Sequence, residues 1–210
     1  MRILLALVLV LVLAACGSES EDAAAPAPET VTVTQTQTET VEADEPDEPD
    51  EPVVVCSTAG LRLNLSDQDL PEPVEDVRRR AFEASVACDY DTLEEIALEQ
   101  GEGFTFSYGA GPGDSAAAHW RELEESGAEE PMRVLATILT LPYTRNESGS
   151  YAWPTAYSEA PTEEAWQALV DAGLHSQEEI DSMREGGTGY LGYRTAITAE
   201  GDWQFFVAGD

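Results

Sequence analysis

Lysine is absent from this sequence; its ten basic residues are all arginine, set against 42 acids. The imbalance persists from residue 53 onward, where 30 acids face 9 arginines. A surface of that sign repels phosphate backbones and anionic lipid heads, so nucleic acid is excluded as a partner and so is steady adsorption to a charged bilayer. Such a surface stays soluble in high salt, where its self-repulsion is screened; an arginine-biased genome accounts for the missing lysine equally well. Histidine is scarce too. With two histidines and three cysteines, no pair stands at zinc-ligand spacing, and the acid-rich segments contain no EF-hand loop, so no metal and no cofactor is expected. The longest apolar run, Ile3 to Ala15, is shorter than the roughly 20 residues a transmembrane helix needs. From Gly17 to Pro52 there is neither an aromatic nor a basic residue, which leaves nothing from which to build a core.

What is present at the amino terminus is a single basic residue, Arg2, the apolar run, and then Leu13-Ala14-Ala15-Cys16-Gly17-Ser18. The order of basic start, apolar stretch and small-residue end is that of a secretory signal. Leu13-Ala14-Ala15-Cys16 resembles the lipobox of bacterial lipoproteins. That resemblance implies cleavage before Cys16, a diacylglycerol on its thiol and an acylated amine, hence an extracytoplasmic protein held to the cell membrane, or to an outer membrane where one exists. Two or more acyl chains make a stable anchor, since each buried CH₂ contributes about 0.8 kcal/mol. The alternative is an ordinary signal peptide with an incidental cysteine. The chain is then expected to divide into a lipoprotein signal peptide at 1–15, a lipidated, disordered acidic Thr/Pro-rich tether at 16–52, and a single extracytoplasmic α+β domain at 53–210. The tether carries TVTVTQTQTET and DEPDEPDEP; proline and like-charge repulsion extend such a segment, to a reach on the order of 120 Å.

With Cys16 assigned to lipid, Cys56 and Cys88 remain as a disulfide pair for an oxidising compartment. Their bridge would contribute about 3–4 kcal/mol in the chain-entropy model. The alternative is two separate buried thiols.

Within the domain, Pro73 opens a helix whose stripe is Val74, Val77, Ala81, Ala84 and Cys88, with Arg78-Arg79-Arg80 on a solvated face. Asp91-Thr92-Leu93-Glu94 has the pattern of a capping box. Residues 104–109, FTFSYG, alternate as a strand; a helix carrying Ala116, Trp120 and Leu123 follows. Residues 132–141 are apolar on nearly all sides, and Pro131 favours helix there. YAWPTAY at 151–157 is a short strand ended by Pro154. Thr162 and Ser176 each start a helix. YLGYRTAIT and WQFFVA form a carboxyl-terminal hairpin, with a loop at 200–202 placing Ile197 opposite Phe205. Helices packed on a small curved antiparallel sheet make an α+β fold. The DYDTLEEIA stretch and the terminal hairpin resemble the helical start and closing strands of NTF2-like domains, a resemblance that implies a cone with an apolar pocket.

Candidate sites are few. YGAGPGDS, residues 108–115, lacks the Gly-Lys-Ser/Thr ending of a phosphate-binding loop and carries Asp114 instead, so it reads as a helix-start loop. His119 and His175 have no partner in sequence that makes a triad or a metal set, and no catalytic residue is assigned. Trp120, Tyr151, Trp153 and Tyr193, with Arg194, would line a pocket if they converge. The expected function is display of a non-enzymatic domain that binds an envelope protein, a cell-wall component or a small apolar ligand. The alternatives are an NTF2-like hydrolase or isomerase, which needs His119 or Asp114 inside a concave pocket, and a structural spacer.

Overall fold

The computed structural model describes residues 56–99 and 103–209. The signal, Cys16 and the tether lie outside the described residues. Among the described residues the order is α1 (Glu72–Ala87), α2 (Tyr90–Leu98), α3 (Ala116–Ser126), α4 (Pro131–Thr140), β1 (Thr144–Arg145), β2 (Tyr151–Trp153), a 3-10 turn (Thr155–Tyr157), α5 (Glu163–Asp171), α6 (Gln177–Gly186), β3 (Arg194–Ile197) and β4 (Trp203–Val207). The strands form one antiparallel sheet in the order β1-β2-β3-β4. The fold is α+β, and the carboxyl-terminal pair is a hairpin.

Each helix start has a physical cause visible in its residues. Pro71 and Pro73 open α1, whose first turn carries Glu72 and Glu75; fixed φ and acids both suit a helix amino end. Val74, Val77, Ala81 and Ala84 bury the expected stripe. The helix ends at Cys88, left-handed at φ 50°, with its N–H bonded back to the last turn. Cys88 is bridged to Cys56, with Cα atoms 5.8 Å apart. Ser115 and Thr162 cap α3 and α5, and Ser176 with Glu179 makes a full capping box on α6. Residues 131–140 are helical: Leu135, Ile138 and Leu139 are each at most 1 % exposed, between α1, α3 and the sheet side of the core.

Four expectations are corrected. The Asp91 capping box does not form; Asp89 caps α2, accepting from the Thr92 N–H at 3.0 Å, and its carboxyl is held below the usual range by the Thr92 backbone and hydroxyl donors. Glu94 turns instead to α3, as described below. FTFSYG is no strand: it touches the sheet through a single parallel bridge, Thr105 to Phe205, because Thr105 alone exchanges backbone bonds with Gln204 and Phe206. Arg78 is not on a solvated face. It is fully buried, where its Nε and Nη2 donate to the Leu139 carbonyl at 3.1 and 2.9 Å and its Nη1 to that of Ser66 at 3.0 Å. Those carbonyls include one that the end of α4 leaves without a helical partner.

The fourth correction concerns the hairpin. Ile197 pairs with Trp203, not Phe205, and Thr195 pairs with Phe206, the register shifting between Ala196 and Ile197. Trp203 and Phe206 are three residues apart, so regular alternation would send them to opposite faces. A bulge resolves the conflict by adding one residue to β4. Both rings then meet Trp120, at 6.1 and 5.7 Å between centroids. Phe205 goes to the other face, against Tyr157. At the turn, Gly201 has φ 95°, and a Cβ there would come within 3.0 Å of Pro73; the hairpin tip packs on the start of α1 only because that residue is glycine.

Candidate functional site

The five residues expected to form an aromatic pocket fall into separate places. Trp120, at 1 % exposure, sits in the interior among Phe104, Trp203 and Phe206. Trp153 is fully buried on β2, its indole N–H donating to Gln68 Oε1 at 3.1 Å. Tyr151 lies 5.3 Å from Tyr143 under the Arg145 guanidinium. These three fill the core and do not wall an open cavity. Tyr193 stacks on Phe206 at 4.9 Å and its hydroxyl donates to Glu129; burial and that carboxylate raise its pKa. It borders a cleft of about 570 Å3 with His175, Glu179 and Arg133. Burial depresses the His175 pKa, and Glu179 opposes that shift. Arg194, 6 % exposed, donates to the Gly209 carbonyl and to the Tyr108 hydroxyl, the latter at 2.9 Å, and lies over the Tyr157 ring.

The glycine-rich loop is a helix start. Ser115 caps α3, and the Glu94 carboxylate accepts from the Ala117 N–H at 2.6 Å and the Ser115 hydroxyl at 3.2 Å. Asp114 Oδ2 accepts from the Gly111 N–H at 2.7 Å. The protein's own carboxylates occupy the place where a phosphate would sit. His119 packs against Phe106 at 5.4 Å and shares a shallow hollow with Asp114 and Glu122.

A further concavity open to solvent was not foreseen. It lies between the end of α2 and residues 104–116, has a volume of about 560 Å3, and is lined by Leu98, Phe104, Phe106, Tyr108 and Pro112 together with Glu94 and Asp114. That volume is within the ordinary range for small-molecule sites. Leu98 is 55 % and Tyr108 65 % exposed, the two most exposed large hydrophobic side chains among the described residues. Exposed apolar side chains gathered beside one concavity mark a candidate contact surface. The local sequence explains the geometry. Residues 104–109 have strand composition but only Thr105 reaches β4, so the flanking Phe104 and Phe106 pack from one side: Phe104 against Trp203 at 4.6 Å and Trp120 at 6.0 Å, Phe106 against His119. The signal in the sequence was a strand-like run too rich in glycine on its far side to pair fully, following a helix that ends on an exposed leucine.

No family model matches the chain, and neither a curated protein nor a solved structure matches it.

Proposed function

We propose that the chain is a lipid-anchored extracytoplasmic lipoprotein whose domain binds a ligand without catalysis, and that the groove beside Leu98 and Tyr108 is its ligand site. One observation carries the export half of this reading: Cys56 and Cys88 are bridged, and disulfides persist where the surroundings are oxidising. It agrees with the Leu13-Ala14-Ala15-Cys16 lipobox. Lipid on Cys16 holds the protein, the acidic tether extends from the surface, and the domain meets its ligand away from the bilayer. The bridge gives that arrangement a firm mount. The residue after Cys56, Ser57, is held by the Glu124 carboxylate, its hydroxyl donating at 2.7 Å, and the same carboxylate caps α4 by accepting from the Met132 N–H at 2.9 Å.

The test compares the full chain with Cys16→Ala in a bacterial host fed an alkyne-tagged fatty acid. The wild-type chain is expected in the membrane fraction and labelled; Cys16→Ala is expected to carry no label. Equal labelling of both would sink the lipoprotein assignment.

A further inference from the structure

Between Arg80 and Arg121 the sequence runs through 40 residues, 81–120, with eight acids and no lysine or arginine. This run supplies every residue of the groove lining. The consequence is local and electrostatic. Among the described residues the only charged side chains lining the groove are Glu94 and Asp114, and neither forms a salt bridge there. Each has one oxygen committed to a backbone N–H, Glu94 Oε2 to Ala117 and Asp114 Oδ2 to Gly111. The other oxygen of each accepts no hydrogen bond among the described residues. Arg194 donates to the Tyr108 hydroxyl of the lining, but it is 6 % exposed and engaged with Gly209 and the Tyr157 ring. The groove therefore combines an aromatic and aliphatic lining with two carboxylates that have no counter-charge among the described residues.

We infer that this groove takes a small cationic amphiphile, an aryl- or alkylamine whose apolar part lies on Leu98, Phe104 and Phe106 and whose ammonium meets Glu94 and Asp114. The inference rests on the groove being the domain's ligand site, as proposed above. Aromatic faces favour such a ligand twice, by apolar burial and by attraction of the cation to the ring quadrupole. A carboxylate of the same shape meets the opposite: like charge in a partly desolvated groove, inside a domain that is acidic overall.

The experiment titrates the full-length lipoprotein, held in zwitterionic nanodiscs, with three probes of one shape: 4-phenylbutylamine, 4-phenylbutanol and 4-phenylbutyrate. Binding is read by ligand-observed NMR against empty nanodiscs. The amine is expected to bind about tenfold more tightly than the alcohol, and the butyrate more weakly than either. Asp114→Asn, an exposed site whose amide oxygen can still accept from Gly111, is expected to weaken the amine alone, whereas Leu98→Gln weakens all three. Equal affinities, or a butyrate that binds best, would overturn the cationic ligand class and leave the groove standing as a ligand site. Absence of binding by all three, or binding insensitive to Leu98→Gln, would overturn the groove itself.

Discussion

Arg78 and Arg194 are both buried arginines in a domain that has few cations, yet their surroundings differ. Arg78 is fully enclosed at the junction of α1, the end of α4 and the extended segment before α1. Two backbone carbonyls and the Glu75 carboxylate, 2.9 Å away, satisfy it, with the Trp153 ring 5.9 Å from the guanidinium carbon. Arg194 holds the carboxyl-terminal residues and the groove loop to the sheet through neutral oxygens and an aromatic face, with no salt bridge among the described residues. The first residue neutralises the negative end of a helix; the second staples a loop. A buried charge is tolerable when its donors are used and the partner field is favourable, and Arg78 meets both conditions more fully. The forked guanidinium is what makes both arrangements possible, since an ammonium cannot reach two separated carbonyls in one plane. That geometry is one physical reason to build these two positions with arginine.

The contrast can be broken by substitution. Arg78→Met has the largest expected effect, a loss of about 3–5 kcal/mol in urea unfolding of the full chain, because the Leu139 and Ser66 carbonyls stay buried without donors. A loss under about 1 kcal/mol would show that water enters and replaces the guanidinium. Arg194→Met is expected to cost about 1–2 kcal/mol, as only the Gly209 carbonyl and an exposed phenol lose a donor. If it matched Arg78→Met, the distinction drawn between cap and staple would fail. Glu75→Gln should be smallest, below about 1 kcal/mol, since that side chain is 36 % exposed, its amide oxygen can still accept from Arg78, and the Leu139 and Ser66 carbonyls still hold the guanidinium. A larger cost would move the holding of Arg78 from the carbonyls to the carboxylate.

The helices were largely legible because their signals are local. Pro131, Thr162 and the Ser176–Glu179 pair act within one turn of the residues they organise, and α4, α5 and α6 begin where those signals stand. The Cys56–Cys88 bridge was the expected pairing once Cys16 was set aside for lipid, with two separate thiols as the alternative. Most of the misreadings involve a partner far away in the chain, though α2 itself is capped locally by Asp89. Asp91-Thr92-Leu93-Glu94 has the right local spacing for a box, but Glu94 is drawn to the N-terminus of α3, 23 residues on. Arg78 looks like its exposed neighbours Arg79 and Arg80 until α4 supplies a carbonyl 61 residues away. The groove was missed for the same reason, as Leu98 and Tyr108 are separate exposed residues until the loop folds back beside α2.

By itself the sequence determined the sign of the surface, the positions of most helix starts and the presence of an antiparallel carboxyl-terminal hairpin. These follow from composition, short-range hydrogen bonding and chain connectivity. Only the tertiary structure decided the register of that hairpin and which of Phe205 and Phe206 faces the core. Alternation along a strand is blind to a bulge, and a bulge arises only when Trp120 is there to receive both Trp203 and Phe206. It likewise decided that Trp120 and Trp153 are core, because whether an aromatic ring is filled around or left open depends on every element that packs against it.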